Sequence, residues 1–415
     1  MILTKLKITS FNAKACGTGI VDEKTVSVPF VLPGEEVEGE YYTSKGDHWV
    51  NPETIHQKSP DRIDPKCIHY GSCGGCSLQH VSDDFYKNFK KGLVQDALKK
   101  NGLSVDVHDP IIVGERQRRR IDFKAMKNDG QVVMGFTIKN RWKTIDFKEC
   151  LIVVPEIESV FAPLRHLINQ ITDDHMIIHV FLTAAANGLD MILAGFKNPL
   201  TDDQMGFVDQ FTKEYLIRMT LKIKGQPAMV IQSDEPHVLL AGNKVSISAN
   251  CFLQASAKAE QILADLVTSY LPKNAHKVVD LFCGRGTLTL PIAEHGCKVT
   301  GFEGDVRSIA ALANVGHPNI RALVQDLFGD PVQADDLKKY DVVVMNPPRS
   351  GAQVQAKQVA MARVPCVIYV SCSPASFAKE AAILCEKGYV LEKVIPVDQF
   401  MWAAHTEVVG VFNFS

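Results

Sequence analysis

Two apolar runs constrain this chain most. Asp341-Val-Val-Val-Met345 stops at Asn346-Pro-Pro-Arg-Ser-Gly351, and Val367-Ile-Tyr-Val370 stops at Ser371-Cys-Ser-Pro374. Neither run alternates polar with apolar residues, so each reads as a strand covered on both faces, as in a parallel sheet held between helices. Ligands of open α/β sheets sit beyond the carboxyl ends of the strands. Asn346, Arg349 and Cys372 therefore become neighbours in one site, and the thiol is the most chemically suggestive of the three.

A chain of 415 residues is too long for one ordinary domain. No apolar stretch reaches the ~20 residues of a bilayer span. Residues 1–9 interleave lysines with apolar side chains instead of building a signal-peptide core. A cytoplasmic protein without a membrane partner is expected, with a monomer favoured. The formal net charge of −2 argues against a general nucleic-acid coat but leaves room for a local basic groove. Eleven cysteines in such a chain point to metal ligands, catalytic groups or reduced core thiols rather than a disulfide framework.

Residues 1–58 read as short strands separated by Gly and Pro, the pattern of a small β-barrel. Gly17-Thr-Gly19 followed by Leu32-Pro-Gly-Glu35 resembles a TRAM module, an OB-like RNA-binding barrel, although the segment is neither basic nor rich in stacking residues. Next come Cys67, Cys73 and Cys76 on a Gly-rich loop, with Cys150 the best candidate for a fourth thiolate beyond a hairpin. The spacing departs from paired zinc motifs, and both zinc and iron–sulfur ligation stay open on the residues alone. Ser82 caps an amphipathic helix reaching Lys100 that packs on another domain. Arg116, Arg118, Arg119 and Arg120 stand at the entry of a strand, where they could hold phosphates or stack on bases. Between residues 151 and 243 a helix is expected over 157–170 and strands over 176–183 and 191–196, with no recognisable chemistry.

The C-terminal region is more explicit. A strand at 277–282 runs into Cys283-Gly-Arg-Gly-Thr287 and a helix, a cradle in which glycines admit a nucleotide-type ligand to the backbone. A second strand ends at Glu303, placed for two ribose hydroxyls, and a third ends at Gln325 and Asp326, suited to an adenine amino group or simply to a turn. Strands near Lys277, Lys298, Ile320, Asp341, Val367, Tyr389 and Glu407 follow the plan of a seven-stranded class I methyltransferase. Its last strand is antiparallel, so Glu407 should approach Cys372.

These motifs together resemble the RNA uracil-5-methyltransferase family, and within it the iron–sulfur branch that modifies 23S ribosomal RNA. The matching residues are Cys67, Cys73, Cys76, Cys150, Phe252-Leu-Gln254, Asp280-Leu-Phe-Cys-Gly284, Glu303, the Pro-Pro-Arg motif, the Ser-Cys-Ser-Pro turn and Thr406-Glu407. The resemblance implies Cys372 as nucleophile, Glu407 as base and S-adenosylmethionine as methyl donor. It also implies a four-iron, four-sulfur cluster on the four cysteines. Gln254, Phe282, Thr287, Glu303, Asp326 and Asn346 fall at positions that line the cofactor in the family. The implied architecture is multidomain α/β: a barrel over 1–58, a central α+β iron–sulfur and RNA-binding domain over 59–82 and 108–242, and a Rossmann-like methyltransferase domain over 83–107 and 243–415.

Two departures stand out. Asn346 replaces the usual Asp, which keeps hydrogen-bonding capacity but removes a charge, and Ser256 stands where the family has Asn. The chemistry explains why a thiol and a carboxylate are both required. Uracil C5 is too weak a nucleophile to attack a sulfonium methyl unless a thiolate first adds at C6, and a base must then remove the C5 proton. The target uridine must be single-stranded or flipped out. Transfer RNA is the alternative substrate. An amino-group methyltransferase would place an aromatic residue where Arg349 stands and would not need Cys372; an inactive RNA-binding factor is supported only by Asn346.

Overall fold

The computed structural model describes residues 2–136 and 144–415. Val342–Met345 and Cys366–Ser371 are adjacent parallel strands, and all of their residues are buried. Alternate side chains serve opposite cores. Val343, Met345, Val367 and Tyr369 pack under helices Asp83–Lys100, Gln353–Ala362 and Pro374–Cys385. Val342, Val344, Ile368 and Val370 pack under helices Ala257–Ser269 and Thr289–Glu294. Coverage on both faces is why the runs carry no polar alternation.

The sheet runs in the order Ile320–Val324, Lys298–Glu303, Lys277–Leu281, Val342–Met345, Cys366–Ser371, Glu407–Phe414, Tyr389–Asp398, and all seven expected strands are present. An eighth, the two-residue strand Ile111–Ile112, pairs in parallel with Val397 and Asp398. The strand order reverses between Lys277–Leu281 and Val342–Met345, which opens the crevice where ligands bind in such folds. This is a methyltransferase fold of mixed α/β type.

Six strands within residues 2–57 form a sheet whose outermost members, Ile2–Lys7 and Ser10–Phe11, are consecutive in the chain. The sheet thereby closes on itself around Ile8, Val26, Val28, Val37 and Val50. Residues 120–232 supply a second six-stranded sheet, packed by helices Phe161–Ile171 and Asp202–Tyr215. The expected single helix over 157–170 is two, Pro155–Ser159 and Phe161–Ile171. Pro163 lacks the N–H that would continue the first helix, so the turn breaks at Val160. A further apolar cluster joins Ala15 and Leu32 of the barrel to Leu78, Val81, Tyr86 and Trp402. No helix among the described residues is long and apolar enough to cross a membrane.

Candidate active site

Cys372 follows the buried strand Cys366–Ser371 and precedes helix Pro374–Cys385, whose cap is Ser373. The turn is fixed by local hydrogen bonds. Ser373 N donates to Ser371 Oγ (3.3 Å), and Ser376 N donates to Ser373 Oγ (3.2 Å). Ser376 Oγ also donates to the Arg349 carbonyl (3.0 Å), tying this turn to the Pro-Pro-Arg loop. That loop is held from beneath by Glu380, which accepts from Tyr369 Oη and from Ala352 N (2.6 Å for the latter). Gly351 has φ 77, and a Cβ there would lie 2.1 Å from Glu380 Oε1, so only glycine fits this close approach.

Antiparallel pairing sets Ser371 opposite Val408 and so brings Glu407 to the rim beside Cys372. Glu407 is 4% exposed and receives a hydrogen bond from Gln399 Nε2 (3.2 Å). Burial pushes its carboxyl up to about 7. Cys372 is half-buried, and burial, followed by the Glu407 charge, raises its thiol, while Arg349 opposes the shift. The Glu407 charge therefore reaches the Cys372 sulfur.

The charge of Glu407 and its burial each have an expected consequence for Glu407→Gln. Loss of the carboxylate removes a charge that raises the Cys372 thiol, so alkylation of Cys372, followed by mass spectrometry, should shift to lower pH. Stability should also change with pH. A carboxyl raised from 4.5 to about 7 on folding binds protons more tightly in the folded state, so stability falls as pH rises through that window. Glutamine lacks this penalty, which is roughly 3 kcal/mol at most. Denaturant unfolding should show Glu407→Gln stabilised relative to the native protein at pH 8 and not at pH 4; an equal difference at both pH values would contradict the assignment.

The cradle after Lys277–Leu281 turns through positive φ at Phe282 (64), Gly284 (56) and Gly286 (99). Glu303 caps it, with Oε2 accepting from Gly284 N (3.1 Å) and Oε1 from Asp305 N (2.9 Å). Each oxygen keeps a lone pair for a ligand hydroxyl. Asp280 lies beneath, fully buried and pushed up to about 7 by burial; Thr289 Oγ1 donates to its Oδ2 (2.6 Å), while Oδ1 has no partner. Asp326 closes an exposed turn by accepting from Phe328 N (3.1 Å), and the Phe328 ring stands 5.4 Å from that of Phe282. Thr287 Oγ1 donates to Glu260 Oε1 (3.2 Å), and Asn346 is half-buried with its N–H on the Leu281 carbonyl (3.2 Å). Gln254 arrives from another direction and is buried.

What brings Gln254 there corrects the expectation for the arginine run. Arg119 donates to the Gln254 carbonyl (2.9 Å) and to Glu260 (2.8 Å), and Arg120 to the Leu253 carbonyl (3.1 Å). Arg116 pairs with Glu158. Three of the four guanidiniums thus hold protein segments together instead of waiting for phosphates. Arg118 alone lines a large cleft, 5.6 Å above the Phe400 ring.

That cleft has a volume of about 1780 Å³ and runs from Phe11 and Trp49 of the barrel, past Phe85 and Phe89, to Phe400 and Cys372. The cysteine loop borders it at Gly74 and Gly75. Cys67, Cys73, Cys76 and Cys150 are all half-buried free thiols, close enough that neighbouring thiolate charge helps to raise Cys73, Cys76 and Cys150. Burial is the larger cause and pushes Cys76 up to about 12. Among the described residues no group of three His, Cys, Asp or Glu side chains is placed to hold a single metal ion.

Comparison with known proteins agrees in direction. Residues 330–413 match the family described as tRNA (Uracil-5-)-methyltransferase, and residues 256–364 the methyltransferase small domain. An uncharacterized RNA methyltransferase of Brucella suis biovar 1 is 34% identical, over 99% of this chain and 97% of its own length. The 23S rRNA (uracil(1939)-C(5))-methyltransferase of Shewanella amazonensis is 30% identical, over 96% and 93%. The tRNA (uracil-54, C5)-methyltransferase of Pyrococcus abyssi, solved with S-adenosyl-L-homocysteine, superposes with a TM-score of 0.79 over 98% of this chain and 99% of that one. At 21% identity this last likeness is one of fold.

Proposed function

The chain belongs to the RNA uracil-5-methyltransferase family, and from that premise we propose that it methylates C5 of one uridine in 23S ribosomal RNA, with Cys372 as nucleophile and Glu407 as base. The observation that carries this reading is the pairing of Ser371 with Val408, which sets a thiol and a buried carboxylate together at the rim of the sheet. S-adenosylmethionine, when bound, supplies an electrophilic methyl group. Glu303 would hold its ribose, the rings of Phe282 and Phe328 with Asp326 its adenine, and Gln254, Thr287 and Asn346 the remainder. The buried, unpartnered Oδ1 of Asp280 beneath the cradle fits a site that expects a polar ligand.

The Cys372 sulfur adds to C6, and the C5=C6 electron pair moves toward O4 as an enolate. C5, made electron-rich in this way, would take the methyl group that S-adenosylmethionine supplies, with the S–CH3 electron pair staying on the departing neutral thioether. Glu407, ionised above about pH 7, removes the C5 proton; the C–H electrons re-form C5=C6 and the C6–S bond breaks, returning the thiolate. Arg349, whose charge favours the Cys372 thiolate, supports the first step.

The reading extends to the cysteine loop as a site for a four-iron, four-sulfur cluster. Three free thiols on a Gly-rich loop, with Cys150 beside them, supply an all-thiolate donor set, and a cluster would favour the ionised forms that burial disfavours. Thiolate ligation there would be structural, because the reaction contains no redox step.

The 30% identical relative named for 23S rRNA spans almost the whole chain, which favours ribosomal over transfer RNA. Mapping 5-methyluridine in both RNA pools of a deletion strain tests this. One 23S site should be lost; loss from transfer RNA alone would overturn the ribosomal assignment.

A further inference from the structure

We propose that Lys90, acting with Tyr86, is a positioning residue for the catalytic base. Its buried ammonium fastens the connection that delivers Glu407 to Cys372. The proposal rests on the assignment of Glu407 above.

Lys90 lies on helix Asp83–Lys100, and its side chain is 0% exposed. An ammonium has three N–H donors and no acceptor, so full burial requires three acceptors. It has them. Nζ donates to Asp398 Oδ1 (2.8 Å), the Ala403 carbonyl (2.7 Å) and the His405 carbonyl (2.5 Å). Asp398 ends the strand Tyr389–Asp398, and Glu407 begins the strand paired with it, through Val397. All three acceptors therefore lie on the connection between those strands or at its start, and the last is two residues from Glu407.

Tyr86 completes the clamp. Its hydroxyl donates to Asp398 Oδ2 (2.5 Å) and accepts from Trp402 N (2.7 Å). The Trp402 carbonyl accepts from Ser77 N (2.7 Å) and Leu78 N (3.1 Å), directly after Cys76. Trp402 sits at φ 61, a conformation that a large side chain adopts only when its surroundings impose it. The backbone of one residue, Trp402, is thus gripped between the cysteine loop and the helix. The outer face of the same helix lines the large cleft at Phe85, Phe89 and Lys100. A lysine and a tyrosine on the inner face hold the base, while the outer face meets the cleft.

The test separates adduct formation from adduct release under single turnover with labelled RNA. Lys90→Met should slow release by about tenfold or more, while S-adenosylmethionine affinity stays within about twofold. Tyr86→Phe, which keeps the ammonium, should slow release by several-fold. In a Glu407→Gln background, where adduct accumulates, adding Lys90→Met should leave the rate of adduct formation unchanged, because Lys90 acts through the absent carboxylate. If Lys90→Met alone does not fold, Lys90→Met/Asp398→Asn removes both buried charges at nearly constant volume and takes its place. Wild-type release in a folded Tyr86→Phe or double variant would overturn the proposal, as would slower adduct formation in the Glu407→Gln background. Normal release by Glu407→Gln alone would instead refute the base assignment, whatever Lys90 does.

Discussion

Glu407→Gln should accumulate methylated RNA attached to the protein, and Cys372→Ala should form no attached RNA at all. The two variants differ because the residues act at different bonds. Without the thiol nothing raises electron density at C5, and the reaction stops before methyl transfer. Without the carboxylate, addition and transfer proceed, but the C5 proton has lost its acceptor. Loss of a positioned base slows such a step by roughly 10²–10⁴-fold, long enough for the adduct to survive denaturation. A gel with labelled RNA should show a slow, protease-sensitive band for Glu407→Gln only. Release at the normal rate with no trapped species would mean that another group or a water takes the proton. The lowered Cys372 pKa expected in the same variant favours the band, since more of the thiol is ionised when addition begins.

Cys76→Ser should have the second large effect, on the fold around the cysteine loop, if the proposed cluster sits there. Protein purified without oxygen should be brown and contain iron and inorganic sulfide; the variant should lose both. Its melting temperature should fall by on the order of 10 °C, as expected when several kcal/mol of metal-linked folding are removed. The damage should extend to the loop before Glu407, because Ser77 and Leu78 bond the Trp402 carbonyl immediately after Cys76. S-adenosylmethionine binding, measured by titration calorimetry, should persist, since the cradle is built from residues 280–287 and Glu303. Stoichiometric zinc without sulfide in the native protein would overturn the cluster assignment.

The centre of the sheet was legible in the sequence because Val342–Met345 and Cys366–Ser371, buried on both faces, are unbroken apolar runs. Helix Asp83–Lys100 was legible for a different reason: Ser82 caps it locally, accepting from Phe85 N (3.3 Å). Buried charges were the opposite case. Arg119 and Lys90 look like solvated cations in their own neighbourhoods, and only partners far away in sequence, Glu260 and Asp398, give them interior sites. A charge run carries no sign of which member will turn inward. Gln399, the hydrogen-bond partner of Glu407, was missed likewise, since nothing local distinguishes it from a loop glutamine. The strand Ile111–Ile112 was too short to show any period.

The proposed reaction requires Cys372 to bond to C6 of a uridine while the methyl group is transferred to C5. RNA carrying 5-fluorouridine tests it most directly, because fluorine at C5 leaves no proton for Glu407 to remove and the methylated adduct cannot collapse. With S-adenosylmethionine present, the native protein should be recovered attached to this RNA. Digestion and mass spectrometry should then place a methylated fluorouridine on the peptide containing Cys372. Attachment at another cysteine, or a freely released product methylated on nitrogen, would contradict the account.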